Sequence, residues 1–443
     1  MDWYIFLPLF IVALIVVLFL RIPVAFGIFA VGIGSAFLIF RNLETVSSLV
    51  SLSVISSVNS FTFTAIPLFV LMGEILFRSQ IAQKAIGEIS LLLRRVPGRL
   101  PMVAVAGGSV FGVLSGSTLA NTALLSRTLL PQMKSAGYET RLSAGSILAA
   151  GGLAMVFPPS ALAILWGGVA NVSIGPLMIA GIIPGVLMAL GYVFIVLWKS
   201  RPSVMGADSP DTEENRPPKR SGTEILRGIG KNILLPAILG VAILVVIFAG
   251  LGTPTEAAAF GALVALILAF ASSSFSLRDL LDSALSTLRI TGTIFILVMA
   301  STLYSQIMAY MGATAGLVQW VSGSITNGVL MMFLIVLLLV ILSCFIDQAS
   351  IMLITAPLLM PIVSAFGWDP VWFSIIVLVT LQIGNVSPPF GMSLFVMKST
   401  APWLSMFTIY RSAVPWIISD LTVVFILCIF PWLVTVLPSL MGT

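Results

Sequence analysis

Ten apolar runs, each near or above the length of a bilayer crossing, divide this chain of 443 residues: roughly 3–20, 23–40, 49–77, 142–172, 174–198, 233–251, 255–271, 288–312, 370–397 and 412–437. A helix spans the hydrocarbon core with about 17–25 apolar residues. Charged residues make up only 8% of the chain, against about 25% in soluble domains. That is too little polar surface to face water, so a soluble enzyme is excluded. An outer-membrane barrel is excluded too, because its strands alternate polar and apolar residues and these runs do not. The class is an all-α polytopic membrane protein. Histidine is absent, which removes histidine-dependent catalysis, histidine metal sites and haem ligation. Cys344 and Cys428 lie in apolar runs and read as buried thiols without a disulfide framework. Asp2 and the lack of a basic leader make residues 3–20 an expected retained span, not a cleaved signal peptide.

Two more regions, 99–130 and 329–360, are apolar but interrupted near their middles by small and polar residues. The one clearly hydrophilic stretch, Lys199–Lys231, holds seven of the 21 basic residues and reads as a cytoplasmic linker. The expected organisation is a first half over 1–198, a linker over 199–232 and a second half over 233–443. Basic residues mark the inner side of a membrane protein. Arg94, Arg95 and Arg99 precede the first interrupted region, and Lys134 and Arg141 follow it, so it enters and returns on the inside. The second has no basic residue from Thr291 to Met397, so its flanks are expected outside. Single spans counted from the linker place Arg21, Arg78, Arg278, Lys398 and Arg411 inside and only Arg41 outside, with both chain ends exterior.

A shift of 230 positions lays Ser117–Ser160 over Asp347–Phe390 without a gap, with seven of 44 positions identical. Pro131 falls on Pro361, Gly137 on Gly367, and Pro158-Pro159 on Pro388-Pro389. The charges give the two copies opposite orientations. Inverted repeats with two re-entrant hairpins (about 99–131 and 329–361) and two discontinuous helices (about 142–172 and 370–397) are the expected architecture. That is the pattern of a secondary transporter.

The first interruption concentrates glycine and serine at Ser115, Gly116 and Ser117, followed by Asn121. Backbone carbonyls and hydroxyls there suit a small hard cation, and the next half-helix presents N–H groups to a carboxylate. Close helix packing through small residues is the alternative. The second interruption centres on Ser343 and Asp347, the latter the sole charged residue from Val329 to Leu359. An intramembrane carboxylate marks an ion path by default, and a helix cap is its alternative. The paired prolines free helix carbonyls, and Gly151, Gly152 and Gly384 upstream allow a hairpin tip to approach. Arg127 either reaches an anionic substrate or snorkels to the interface. Residues 78–95 and 276–289 read as in-plane amphipathic helices, and Trp3, Trp198, Trp368 and Trp432 as interface anchors. No Walker lysine motif or nucleophile–base pair is present.

Together the stretches SGSTLANTALLSRTLLPQMKSAGYE, GGLAMVFPPS, SIGPLMIAGIIPG, GLGTPTEAAAFGAL, FIDQASIMLITAPLLMPIVSAFGWDP and SPPFGMSLFV resemble the large membrane subunit (DctM-like) of TRAP transporters, the tripartite ATP-independent periplasmic transporters. The resemblance covers nearly the whole chain. It implies a sodium-driven elevator in the bacterial inner membrane, in which a mobile domain bearing two hairpins slides against a static scaffold. A periplasmic binding protein would deliver a small organic acid, and a separate four-helix membrane subunit would brace the scaffold. Sodium is the implied coupling ion, with no cofactor. Carried onto this chain, one sodium site pairs Ser115, Gly116 and Ser117 with the Gly152–Pro158 break. The other pairs Ser343 and Asp347 with Gly384, Ser387 and Pro388. Asn121, Arg127 and Ser160 are the candidate substrate contacts. A membrane-embedded enzyme for a lipid-linked substrate is the competing expectation, and a channel is disfavoured because paired interrupted hairpins form occlusion gates. Dicarboxylates, sialic acid and sugar acids all remain open as cargo.

Overall fold

The computed structural model describes residues 2–20, 22–200, 228, 230–272 and 275–441, and among them every regular element is a helix. Arg21 and positions 201–227 and 229 of the expected linker lie outside the described residues.

The helices form two sets. In the outer set, Ala65–Arg78 lies along Pro254–Ala271, and Val24–Phe40 lies along Leu277–Tyr310. Gly32 faces Leu303, while Gly261 faces Ile243 and Met72, so glycines let these crossings close. Outward faces carry exposed Leu38, Ile267, Phe333 and Phe425, while Trp166, Phe373 and Trp416 are buried, as expected where lipid is the solvent. Thr253–Glu256 and Ser276–Asp279 capping boxes start two of the outer helices.

The inner set is built from two helix–turn–helix units and the helices behind them. Arg99–Ser115 and Thr118–Ser135 fold back on each other, and Thr140–Val156 packs against both. Gly108 and Gly112 admit the backbone of that third helix; a Cβ on Gly112 would stand 3.0 Å from the Ala154 Cα. Close packing through small residues therefore accounts for these two glycines. Gly328–Ser343 and Gln348–Ala365 form the second unit, with Pro370–Asn385 against its first arm. Thr118–Ser135 and Gln348–Ala365 are 18 residues each, with both bounds displaced by 230. Pro357 withholds the N–H that would bond the Leu353 carbonyl, and Ser301 of the outer set donates its hydroxyl there instead, at 2.7 Å.

Several expected boundaries move. Arms expected to end at 131 and 361 continue to Ser135 and Ala365, because Pro131 and Pro361 each remove one hydrogen bond without ending the helix. The run 142–172 becomes Thr140–Val156 and Ala161–Ala170, bent by 44°. The run 49–77 splits at Asn59 into Leu43–Val58 and, after a short turn, Ala65–Arg78. The run 412–437 breaks at Phe430-Pro431. The amphipathic segment 276–289 is not a separate in-plane helix. It opens one helix of 34 residues, Leu277–Tyr310, because nothing around Arg289 interrupts the hydrogen-bond ladder. Among the described residues six helices are long and apolar enough to cross a bilayer, or seven if the bent pair counts as one. Of the ten expected runs, 3–20 and 23–40 become Trp3–Phe19 and Val24–Phe40, 17 residues each and at the lower edge of spanning length, while Leu235–Phe248 and Pro370–Asn385 stop at 14 and 16.

Candidate functional site

Each tip is a consequence of its local sequence. Arg99–Ser115 ends at Gly116, whose φ of 57° is left-handed backbone that favours glycine. Ser117 then caps Thr118–Ser135, its hydroxyl accepting from the Ala120 N–H at 3.4 Å, while the Ser115 hydroxyl accepts from the Ser117 N–H at 3.3 Å. A Cβ on Gly116 would lie 3.0 Å from the Pro159 carbonyl, so this tip rests on the first helix break. In the second unit Asp347 caps Gln348–Ala365, accepting from the Ser350 N–H at 3.0 Å and from the Ser350 hydroxyl. The Ser343 side chain occupies the space a Cβ on Gly384 would need, so the second tip rests on the second break.

The two breaks share one chemistry. In an α-helix the carbonyl of residue i accepts from the N–H of residue i+4. Pro158 and Pro159 deny that donor to Ala154 and Met155, and Pro388 and Pro389 deny it to Gly384 and Asn385, where the Gly384 carbonyl accepts from the Ser387 N–H at 3.0 Å instead. The Pro158-Pro159 and Pro388-Pro389 bonds are both cis. Ser387 donates its hydroxyl to the Ile383 carbonyl at 2.7 Å, inside the second break. Among the described residues no three His, Cys, Asp or Glu side chains converge. A cation here would take hydroxyl and backbone oxygens, a hard donor set that suits sodium better than a transition metal.

Both tips open onto a cavity of about 220 Å³. Ser115, Gly116, Ser117, Ser343 and Asp347 line it, facing Gly73, Glu74 and Ile294 of the outer set. Gly152, Pro158, Gly384, Ser387 and Pro388 are not among its lining residues. Two lining residues escaped the sequence reading. Glu74 stands 3.7 Å from Arg78, which lies 3.5 Å from Asp282. Glu74 is also the only ionisable residue of the run 49–77, the same signal that singled out Asp347. Asn385 lines the cavity and donates to the Ser393 hydroxyl at 2.7 Å.

The three candidate substrate contacts are not brought to this cavity. Ser160 is buried and caps Ala161–Ala170 through the Ala163 N–H at 3.3 Å. Arg127 is exposed, ten residues along the arm from Ser117, or about 15 Å at 1.5 Å per residue. Asn121 is fully buried and donates to the carbonyls of Gly108 (2.9 Å), Ala150 (3.2 Å) and Gly151 (3.4 Å), tying both arms to the helix behind them. Asn121→Ala is therefore expected to lower stability by about 1–3 kcal/mol, through loss of the buried amide hydrogen bonds that join the arms to the helix behind them. Thermal unfolding of the purified protein reads that loss, while substrate affinity stays at the wild-type value. A weakened affinity at unchanged thermal midpoint would instead place Asn121 on the substrate.

Comparison with known proteins adds sequence-wide relations. The family described as "Tripartite ATP-independent periplasmic transporter, DctM component" matches residues 11–433. The sialic acid TRAP transporter large permease protein SiaM of Vibrio cholerae is 30% identical, covering 96% of this chain and 96% of its own. The C4-dicarboxylate TRAP transporter large permease protein DctM of Rhodobacter capsulatus is 26% identical, covering 93% and 95%. Among solved structures, the YdaH transporter of Alcanivorax borkumensis superposes with a TM-score of 0.61 at 16% identity, over 89% of this chain and 90% of that one. That likeness is one of fold alone.

Proposed function

This chain belongs to the DctM-component family of tripartite ATP-independent periplasmic transporters, and from that premise we propose that it imports a small organic acid together with sodium by an elevator movement. It is a multi-pass transporter permease and not an enzyme. The observation that carries the proposal is the meeting of two capped tips, each seated on a proline-broken helix, across one cavity. Such tips supply oxygen ligands without histidine or clustered carboxylates, and cations held there offset the cost of carrying a carboxylate through a low-dielectric site.

The matched bounds of the two units support an inverted repeat, with the hairpins re-entrant from opposite faces. Arg99 opens the first arm of the first unit and Lys134 lies in the last turn of its second arm, which fits an inner position for its base, whereas Gly328 and Trp368 at the base of the second unit have no basic neighbour in sequence. The outer helices would be the static scaffold. The inner set would slide along it where Gly73 faces Ser115 and Ser301 meets Leu353. Relatives named for sialic acid and C4-dicarboxylates favour an organic acid as cargo. The bacterial inner membrane, a small membrane subunit and a periplasmic binding protein complete the reading.

The test is uptake into liposomes carrying the full complex, offered a labelled C4-dicarboxylate or sialic acid loaded on its binding protein. Uptake is expected with sodium outside and to vanish when potassium replaces it. Equal uptake in potassium would refute the coupling.

A further inference from the structure

We propose that the Gln382 amide is a positioning group on the axis between the two inner copies, and that it makes the two candidate sodium sites cooperative; this rests on the sodium-coupled reading above. Helices Thr140–Val156 and Pro370–Asn385 pack together, and the Gln382 amide fills the space a Cβ on Gly152 would need. Positions 152 and 382 are counterparts under the shift of 230 that overlays the two stretches. Counterpart positions that touch each other lie on the axis relating the copies. Only one of the two can then carry a side chain, and this chain places glycine in the first copy and glutamine in the second.

The choice of glutamine is costly. Gln382 is 0% exposed, and neither its Oε1 nor its Nε2 has a hydrogen-bond partner among the described residues. A buried amide without partners is disfavoured, whereas leucine of similar size would pack there without that penalty. Its surroundings say what the amide is for. Gly152 lies two to three residues from Ala154 and Met155, about 3–4.5 Å of helix rise from the carbonyls the first proline pair releases. On its own helix, Leu381 accepts from the Gln348 side chain of the second tip at 3.3 Å, and Gly384 receives Ser343. The amide therefore stands between the first break and the second tip. A cation that orders either break fixes the amide lying between them, and fixing the amide fixes the crossing of both broken helices. The ordering cost falls on the first cation, and the second meets a site already set.

Sodium titrations of uptake in the reconstituted complex test this. Wild type is expected to rise with a Hill coefficient of up to about two, the limit for two sites. Gln382→Leu should bring it to about one and raise half-saturating sodium roughly tenfold, the effect of losing a coupling of ordinary size, while uptake at saturating sodium is retained. The exchange Gly152→Gln with Gln382→Gly returns one amide to the axis and should restore the steep curve. It also carries the test if the leucine variant fails to fold. A Gln382→Leu curve as steep as wild type, or an exchange variant that folds but stays shallow, overturns the coupling role while leaving sodium-driven transport intact. A wild type indifferent to sodium overturns both readings.

Discussion

Under the proposed sodium coupling, Asp347→Asn is expected to leave a folded, membrane-inserted protein whose uptake falls roughly ten- to hundredfold, the scale of losing contacts to a charged group worth about 1.5–3 kcal/mol. The asparagine matters because Asp347 has two jobs. It caps Gln348–Ala365 through the Ser350 N–H and hydroxyl, and it presents a carboxylate to the cavity. Asparagine caps a helix about as well as aspartate, so this substitution removes the charge and keeps the cap. Asp347→Ala removes both. It should add about 1 kcal/mol of lost stability to the same transport defect, visible as a lower thermal midpoint. Uptake under an imposed sodium gradient, paired with thermal unfolding, separates the two. If the asparagine variant transports normally and only the alanine variant is impaired, Asp347 is a cap and the coupling ion is held by neutral oxygens alone.

The contrast between Asp347 and Arg127 shows which parts of the site a sequence can reveal. The tips were legible because their chemistry is local: Ser115-Gly116-Ser117 is a left-handed stop followed by a cap, and Pro158-Pro159 breaks a helix wherever it lies. Asp347 was legible because a lone carboxylate in an apolar run is costly. The same argument applied to Glu74 would have found the second carboxylate of the cavity. What sequence does not encode locally is the partner. Asn121 carries an amide suited to a ligand, yet three backbone carbonyls two helices deep take its N–H groups. Arg127 sits on the arm of the right hairpin but on its exposed face. Gln382 drew no notice because its meaning lies in Gly152, 230 positions away. The in-plane helix expected at 276–289 differs from the structure for a related reason. Amphipathic character describes one face of a helix and is silent on whether the helix continues.

The second large effect concerns the surface along which the inner set would move. A Cβ on Gly73 would stand 2.6 Å from the Ser115 carbonyl oxygen and 3.0 Å from its Cα. These are backbone atoms of the first tip, so no rotamer change relieves the collision. Overpacking of this kind costs about 1–3 kcal/mol, and here it acts on a contact between the outer and inner sets. Gly73→Val is therefore expected to disfavour the arrangement seen here by roughly ten- to hundredfold. If transport cycles through this arrangement, uptake falls by a similar factor while the purified protein still elutes as a single species. Two controls isolate the cause. Gly32→Ala faces the flexible end of Leu303 at 3.1 Å within the outer set and should transport nearly normally. Gly384→Ala collides chiefly with the Ser343 side chain, with the Ser343 carbonyl carbon also 2.9 Å away, so a second change, Ser343→Gly, should ease its defect in part. No side-chain change in the first tip should ease Gly73→Val in the same way. Wild-type uptake by Gly73→Val would mean that Ser115 never lodges against this helix in the working cycle, and the sliding surface would have to be sought elsewhere.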